Sequence, residues 1–353
     1  MKTPQLLMFI ALFSLVGSSI AAEPRKQCPQ IQESIINDGY QGVLAHEEWI
    51  EGAVHVDEEA LAKTVQQWTS NPCVFLDGRE RLQTLSTGFA RVFFRLKTED
   101  KWTSTQKRVE FIRGKYPNEA FSALLEARYW LDYAWYARGS GLASSVTPEG
   151  WKLFRERLER AEQILSDSKP YASVLPNWYA LMIRVLSALG KGTERNETFI
   201  EGASRFKTYP DIFSEMMLYN LPQWGGSWEA VDLVARWPLE KLKSSEGYQV
   251  YARAYWNIGT SQLWQDQVLF RDTKADWPMI KRGFDQLTKQ YSSSKWLLNG
   301  YACMACMAND AETYRDIREK IGEDLQIRAW EYTYTPENCD SRYNLAKKEQ
   351  PKQ

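Results

Sequence analysis

Tyr219-Asn-Leu-Pro-Gln-Trp-Gly-Gly-Ser-Trp-Glu-Ala-Val-Asp232 reads as a joint between two helices. A segment of helical period, Asp211 to Tyr219, runs up to it. Pro222 lacks the N–H needed to continue that helix. Gly225 and Gly226 can take backbone angles closed to other residues. Ser227 suits an N-cap, and Glu229 and Asp232 bring negative charge to the first turn of the helix that follows. A helix start beside glycines can also hold an anion. Here the two acids already occupy the positive end, so self-capping is favoured over a ligand. Trp224 and Trp228 flank the glycines, which makes Trp224, Gly225, Gly226, Ser227 and Trp228 candidate partner- or ligand-contacting residues.

The same punctuation recurs along the chain. Helical periodicity is expected over Asp57–Thr69, Lys107–Tyr116, Glu119–Arg138, Thr147–Asp167, Ser173–Leu189, Glu194–Phe206 and Trp228–Arg236, the last stopped by Pro238. Gly247–Leu263, Trp277–Tyr291, Ser294–Met307 and Ala311–Ile321 continue the series. No segment alternates apolar and polar residues long enough to read as a strand. Short connections make consecutive helices antiparallel neighbours. Small residues at Gly300, Ala302, Ala305 and Ala308 let helices approach closely, as in stacked hairpins. The expectation is an all-α, tetratricopeptide-like helical-hairpin solenoid of about six hairpins. Its divisions are 1–21, a targeting segment; 22–105, an N-terminal helical region; 106–325, the repeat domain; and 326–353, a polar tail.

Lys2, the apolar run Leu6 to Val16 and Ser19-Ile20-Ala21 have the form of an export signal cut after Ala21 or Ala22. The run is too short to span a membrane, and no second one follows, so no membrane insertion is expected after cleavage. The expected location is the periplasm. Charge is nearly balanced, 44 basic against 45 acidic residues, which argues against nucleic acid as a partner. Export makes the five cysteines disulfide candidates. Cys28–Cys73 is one expected staple, and Cys339 with Cys303 or Cys306 is the other. One thiol is then left over. Cys303-Met-Ala-Cys306 has redox-motif spacing but lies in a helical segment without a βαβ pattern, so small buried residues on a helix face are the favoured reading.

The chain carries 15 Trp and 18 Tyr, and they are densest in Arg128-Tyr-Trp-Leu-Asp-Tyr-Ala-Trp-Tyr-Ala-Arg138. On a helix, Tyr129, Tyr133 and Tyr136 share a face while Trp130 and Trp135 flank it. That arc is too broad for one neighbour to cover. Burial between two layers is favoured, and the functional alternative is a platform for a sugar ring or an aromatic peptide side chain. Asp132 is expected to pair with an Arg. Trp135 and Arg138 are the candidates here for contact with a ligand or partner.

Two of these stretches, Ala134-Trp-Tyr-Ala-Arg-Gly-Ser-Gly141 and Leu221-Pro-Gln-Trp-Gly-Gly-Ser-Trp-Glu229, resemble the hallmarks of an exported bacterial family classed as a domain of unknown function. The likeness runs from about Lys107 to Ile321, with Gln223 where that family usually has Arg. It implies an all-helical, tetratricopeptide-like fold and a periplasmic location. It implies no activity.

Catalytic patterns are missing. His46 and His55 are the only histidines, and His46-Glu-Glu-Trp-Ile50 has Ile where a zinc-protease helix needs its second His. Ala188-Leu-Gly-Lys-Gly-Thr193 fails as a phosphate loop, with Val185 in place of the first Gly and Gly192 after Lys191. There is no nucleophile-elbow Ser. No metal and no cofactor are expected. A helical-barrel glycosidase needs only two carboxylates, and Asp132, Glu229, Asp232 and Asp276 lie near tryptophans, but spacing selects no pair. The sequence therefore points to a non-catalytic interaction or ligand-binding protein whose partner is a protein, a small ligand or a glycan. A glycan-binding or glycan-hydrolysing enzyme is the alternative.

Overall fold

The computed structural model describes residues 39–241, 246–263, 267–331 and 333–345. The export signal, Cys28 and residues 346–353 of the tail lie outside them. The described residues are all-α, with a single isolated bridge between Val74 and Glu80 and no strand. The helices are α1 (Gly39–Val56), α2 (Glu58–Ser70), α3 (Gln83–Phe94), α4 (Glu99–Lys115), α5 (Ala120–Arg138), α6 (Pro148–Ala172), α7 (Pro176–Ala188) and α8 (Gly192–Arg205). They continue as α9 (Pro210–Leu218), α10 (Trp228–Lys241), α11 (Glu246–Ser261), α12 (Leu269–Asp272), α13 (Trp277–Gln290), α14 (Lys295–Met307), α15 (Ala311–Ile321) and α16 (Pro336–Arg342).

Local chemistry sets most of these boundaries. Asp57, Thr147, Asp276, Ser294, Asp310 and Thr335 each cap a helix by accepting a backbone N–H in its first turn. Pro lies in the first turn of α6, α7, α9 and α13, where its missing N–H costs nothing. Two prolines do not stop their helices as expected. Pro170 sits inside the last turn of α6, and Pro238 inside α10, which runs on to Lys241. Pro238 is buried, and its carbonyl lies against Gly247 of α11, so packing offsets the lost hydrogen bond. α1 and α3 are not among the helices expected from sequence, and they pack on one another. Gly88 of α3 faces Ile50 of α1, where a side chain would not fit.

Alternate helices form an inner ring. α1 packs on α3, α3 on α5, α5 on α7, α7 on α9, α9 on α11, α11 on α14, and α14 returns to α1. α4, α6, α8, α10, α13 and α15 pack outside as hairpin partners. One hydrophobic core runs unbroken from Ile50 to Cys339. The ring closes through aromatics: Tyr40 stacks on Trp296 at 5.1 Å, and the guanidiniums of Arg328 and Arg79 cover Tyr40 and Trp296 in turn.

The ring has no open bore. The turn before α3 occupies its middle and touches five helical neighbours. Arg253 of α11 donates to the Asp77 carbonyl, and Gly78, at φ +79, lies against the Tyr291 ring at the end of α13. Arg79 covers Trp296 of α14, Asn177 of α7 donates to the Leu82 carbonyl at 2.8 Å, and Gln83 donates to Asp211 of α9 at 2.8 Å. Asp77 is fully buried and is satisfied locally by the Arg79 backbone N–H and its Nε. His46, also fully buried, donates from Nδ1 to the Gly42 carbonyl, and burial holds its imidazole neutral, down to about 4.

Cys306 and Cys339 form a disulfide that ties α14 to α16, and Cys303 is a buried free thiol. Burial pushes that thiol up to about 12, which makes it inert and removes the redox reading of Cys303-Met-Ala-Cys306. Cys73 is disulfide-bonded, and Cys28, its expected partner, lies outside the described residues. No helix among the described residues is long and apolar enough to cross a membrane.

The Cys306–Cys339 bond closes a separation of 33 residues. Replacing both cysteines by Ser is expected to lower unfolding stability by roughly 3–4 kcal/mol from the loop entropy released, read by urea titration. A change within error would show that the docking of α16 does not rely on the bond. In the native wild type, alkylation should leave Cys303 unmodified.

Candidate binding site

α5 and α6 form an antiparallel hairpin with an extensive seam. Arg157 donates to the Tyr133 carbonyl at 2.8 Å, and its guanidinium lies over the Tyr133 ring. α5 ends because Gly139 takes φ +75, and α6 begins with Thr147 as cap and Pro148 in its first turn. Gly150 of α6 sits against the Ala137 carbonyl, which draws the two helix ends together.

The broad aromatic arc of α5 is divided between two neighbours. Its tyrosine side stacks on α4, with Trp102 and Tyr133 at 4.7 Å and Trp102 edge-on to Tyr129 at 5.5 Å. Its tryptophan side meets α6 and the joint before α10. Trp135 is edge-on to Phe154 at 5.0 Å and to Trp224 at 6.5 Å. Trp151 is edge-on to Phe154 at 5.8 Å. The Arg138 guanidinium sits 5.4 Å from the rings of both Trp135 and Trp151, a paired cation–π arrangement. Its Nη1 donates to the carbonyls of Gly139 and Gly141 at 3.0 and 2.9 Å. Arg138 is therefore the clamp of the α5–α6 loop, and the loop's Leu142 projects beside it, 80% exposed.

Trp224 is presented by the joint itself. Pro222–Trp224 is a single 3-10 turn, closed by Gly225 at φ +84. The Gly225 N–H reaches the Pro222 carbonyl and the Gly226 N–H the Leu221 carbonyl. A β-carbon on Gly226 would overlap the backbone of Asn220, so only Gly fits. Ser227 Oγ then accepts the Ala230 N–H at 3.2 Å and starts α10. The result leaves Trp224 49% and Trp151 39% exposed, side by side with the covered Trp135. Tyr219 backs Trp224 at 6.0 Å, and burial pushes its phenol up to about 12 against the pull of Arg184.

Trp135 and Arg138 of α5 thus share one surface with Trp224, distant in sequence, and Gly225, Gly226 and Ser227 frame it. Trp228 turns to the core instead. Trp151 was not singled out from sequence. The helix start at Thr147-Pro148 was the available signal, since a short hairpin places the first turn of α6 beside the last of α5. Of the two acids assigned to capping α10, Glu229 serves: its own backbone N–H, then Lys274 and Ser227, hold its carboxyl below the usual range. Asp232 does not. It faces the next helix and accepts from Arg236 at 2.5 Å, Tyr255 at 2.8 Å and Tyr251 at 3.2 Å.

All four carboxylates weighed for sugar hydrolysis are engaged. Asp132 pairs with Arg128 at 2.8 Å, Glu229 with Lys274 at 3.1 Å, Asp232 lies in the tyrosine cluster, and Asp276 caps α13. Among the described residues no cluster of His, Cys, Asp or Glu has the make-up of a metal site. In comparisons with known proteins, no protein family, no curated protein and no solved structure matched the chain.

The geometry separates frame from surface. Gly226→Ala must displace the Asn220 backbone and is expected to cost about 2–3 kcal/mol, a size reserved for steric or core defects. Trp224→Ala, which removes a half-exposed ring, should cost about 1 kcal/mol or less. Thermal unfolding of the two variants checks this; the reverse order would make Trp224 the structural residue.

Proposed function

We propose that this chain is an exported, periplasmic, non-catalytic binding protein of tetratricopeptide-like helical-hairpin architecture, and that it engages its partner through Trp151, Trp224 and Arg138. The observation that carries this is the pair of half-exposed tryptophans flanking Trp135, Trp224 edge-on to it and Trp151 sharing with it the Arg138 guanidinium. Exposed rings of this size are costly to leave in water unless something covers them. Trp and Arg are also the side chains that most often dominate binding energy at protein interfaces. Edge-to-face packing on Trp135 and Phe154 fixes the rings in advance, so little ordering entropy is lost on contact. The helical pairing of neighbours, inner and outer, supports the repeat architecture, and the two quoted motifs support the family likeness and the compartment.

A photo-crosslinking residue at exposed Gln223 should capture a protein partner in periplasmic extract, whereas one at exposed Lys63 of α2 should not. With the purified partner, Trp224→Ala should weaken binding about tenfold or more, the scale of a hot-spot residue, with the fold retained by circular dichroism. Saturable binding to a glycan array, lost in Trp135→Ala and Trp224→Ala, would replace the protein partner with a sugar. Turnover of a glycan by the pure protein would overturn the non-catalytic reading.

A further inference from the structure

To one side of the filled centre, a crevice opens between α3, α5 and α7. Leu85 and Phe89 of α3, Leu124 of α5 and Leu181 of α7 give it apolar walls, and it measures about 240 Å³ with its open mouth included. Arg128 is its one charged lining residue. Arg128 lies one helical turn beyond Leu124, and Arg184 one turn beyond Leu181, so both arginines stand on the crevice side of their helices. Asp132 is a further turn along α5, and Glu215 of α9 stands one turn before Tyr219, which caps that helix. Glu215, Tyr219 and Asp132 all act electrostatically on Arg184, and Arg128 acts on Tyr219, so the five form one polar band.

The ion pairs of this band leave hydrogen-bonding capacity over. Arg128 uses its Nε on Asp132 Oδ2 at 2.8 Å, and its Nη1 makes only a long contact of 3.5 Å to the Ser86 carbonyl. Arg184 uses Nε and Nη2 on the two oxygens of Glu215, at 2.9 and 2.8 Å. Among the described residues, Arg128 Nη2, Arg184 Nη1, Asp132 Oδ1 and the Tyr219 hydroxyl bind nothing. The four charged side chains keep between 14% and 27% of their surface in water, so a ligand can reach them. Ion pairs that are partly solvated add little to stability, and two of them beside an apolar crevice are not explained by packing.

Two arginines and two carboxylates balance, so a ligand of either sign alone would be repelled by half of the band. A zwitterion is not. Guanidinium and phenol groups donate to a carboxylate, and Asp132 accepts from an ammonium. We propose that this crevice binds a free α-amino acid with an apolar side chain. Its carboxylate would take the spare donors of Arg128, Arg184 and Tyr219, its ammonium Asp132 Oδ1, and its side chain the space between Leu85, Phe89, Leu124 and Leu181. Apolar walls with a few placed polar groups are the usual make-up of small-ligand sites. Trp151, Trp224 and Arg138 take no part, so this site is independent of the partner surface.

Calorimetry on the full-length protein tests the site, with L-leucine, L-methionine and L-phenylalanine as probes. At least one should bind saturably to a single site. Its deaminated and its decarboxylated analogue, each missing one charge, should bind about tenfold more weakly or worse, the scale of one hydrogen bond to a charged group. Glycine, which has no side chain to fill the crevice, should not bind. Tyr219→Phe removes a hydroxyl that bonds to nothing among the described residues. It should therefore keep the melting temperature and weaken binding several-fold. No saturable binding of any probe at millimolar concentration would overturn the proposal. So would equal binding of the singly charged analogues, or an unchanged affinity in Tyr219→Phe.

Discussion

The turn between α2 and α3 is the constraint on which the rest depends. A ring of inner helices would enclose a bore unless something filled it. Here residues 77–83 fill it, and they do so with polar backbone as well as side chains. Each buried carbonyl or carboxylate there needs a donor. Donors come from across the chain: Arg253 for Asp77, Asn177 for Leu82, and Gln83 bridging to Asp211. Because these partners belong to α11, α7 and α9, the turn is satisfied only when the ring is assembled. Gly78 is required for the same reason, since it must take φ +79 against the Tyr291 ring.

A helical barrel that works on a ligand at its axis needs open space and free polar groups there. In this chain the axial groups are committed to one another, and the carboxylates near tryptophans are committed to Arg128, Lys274, Arg236 or a helix cap. The rim is different. At the start of α6 and in the joint before α10 the chain leaves Trp151 and Trp224 half in water, with Arg138 against Trp151 and Gly225 and Gly226 shaping the turn that carries Trp224. Folding alone gives no reason to keep Trp224 exposed on so rigid a turn.

Much of the helical content was legible in sequence, because caps, prolines and glycines act over a few residues. The Pro222-to-Ser227 joint folds as its residues dictate, and Arg128–Asp132 pairs as spacing suggested. What could not be read was whatever depends on distant contacts. α1 and α3 were not among the expected helices, and the close approach of Gly88 to Ile50 that joins them is a tertiary contact. Pro238 stays helical because its site is buried. Asp232, expected in the first turn of α10, lies beyond it and accepts from two tyrosines of α11. Trp135 and Trp224 were each legible as candidates, yet their meeting, and the arrival of Trp151 beside them, is a property of the ring. So is its closure, which rests on Tyr40 and Trp296, residues at opposite ends of the described chain.

The central claim is a closed, self-filled ring with Trp151 and Trp224 half exposed and the tryptophans of its seams covered. Oxidative footprinting of tryptophans in the free protein tests it most directly. Trp151 and Trp224 should be modified readily, while Trp102 and Trp296, 2% and 8% exposed, should be spared. Modification of Trp296 as fast as Trp224 would mean that the ends do not meet, and would contradict the account.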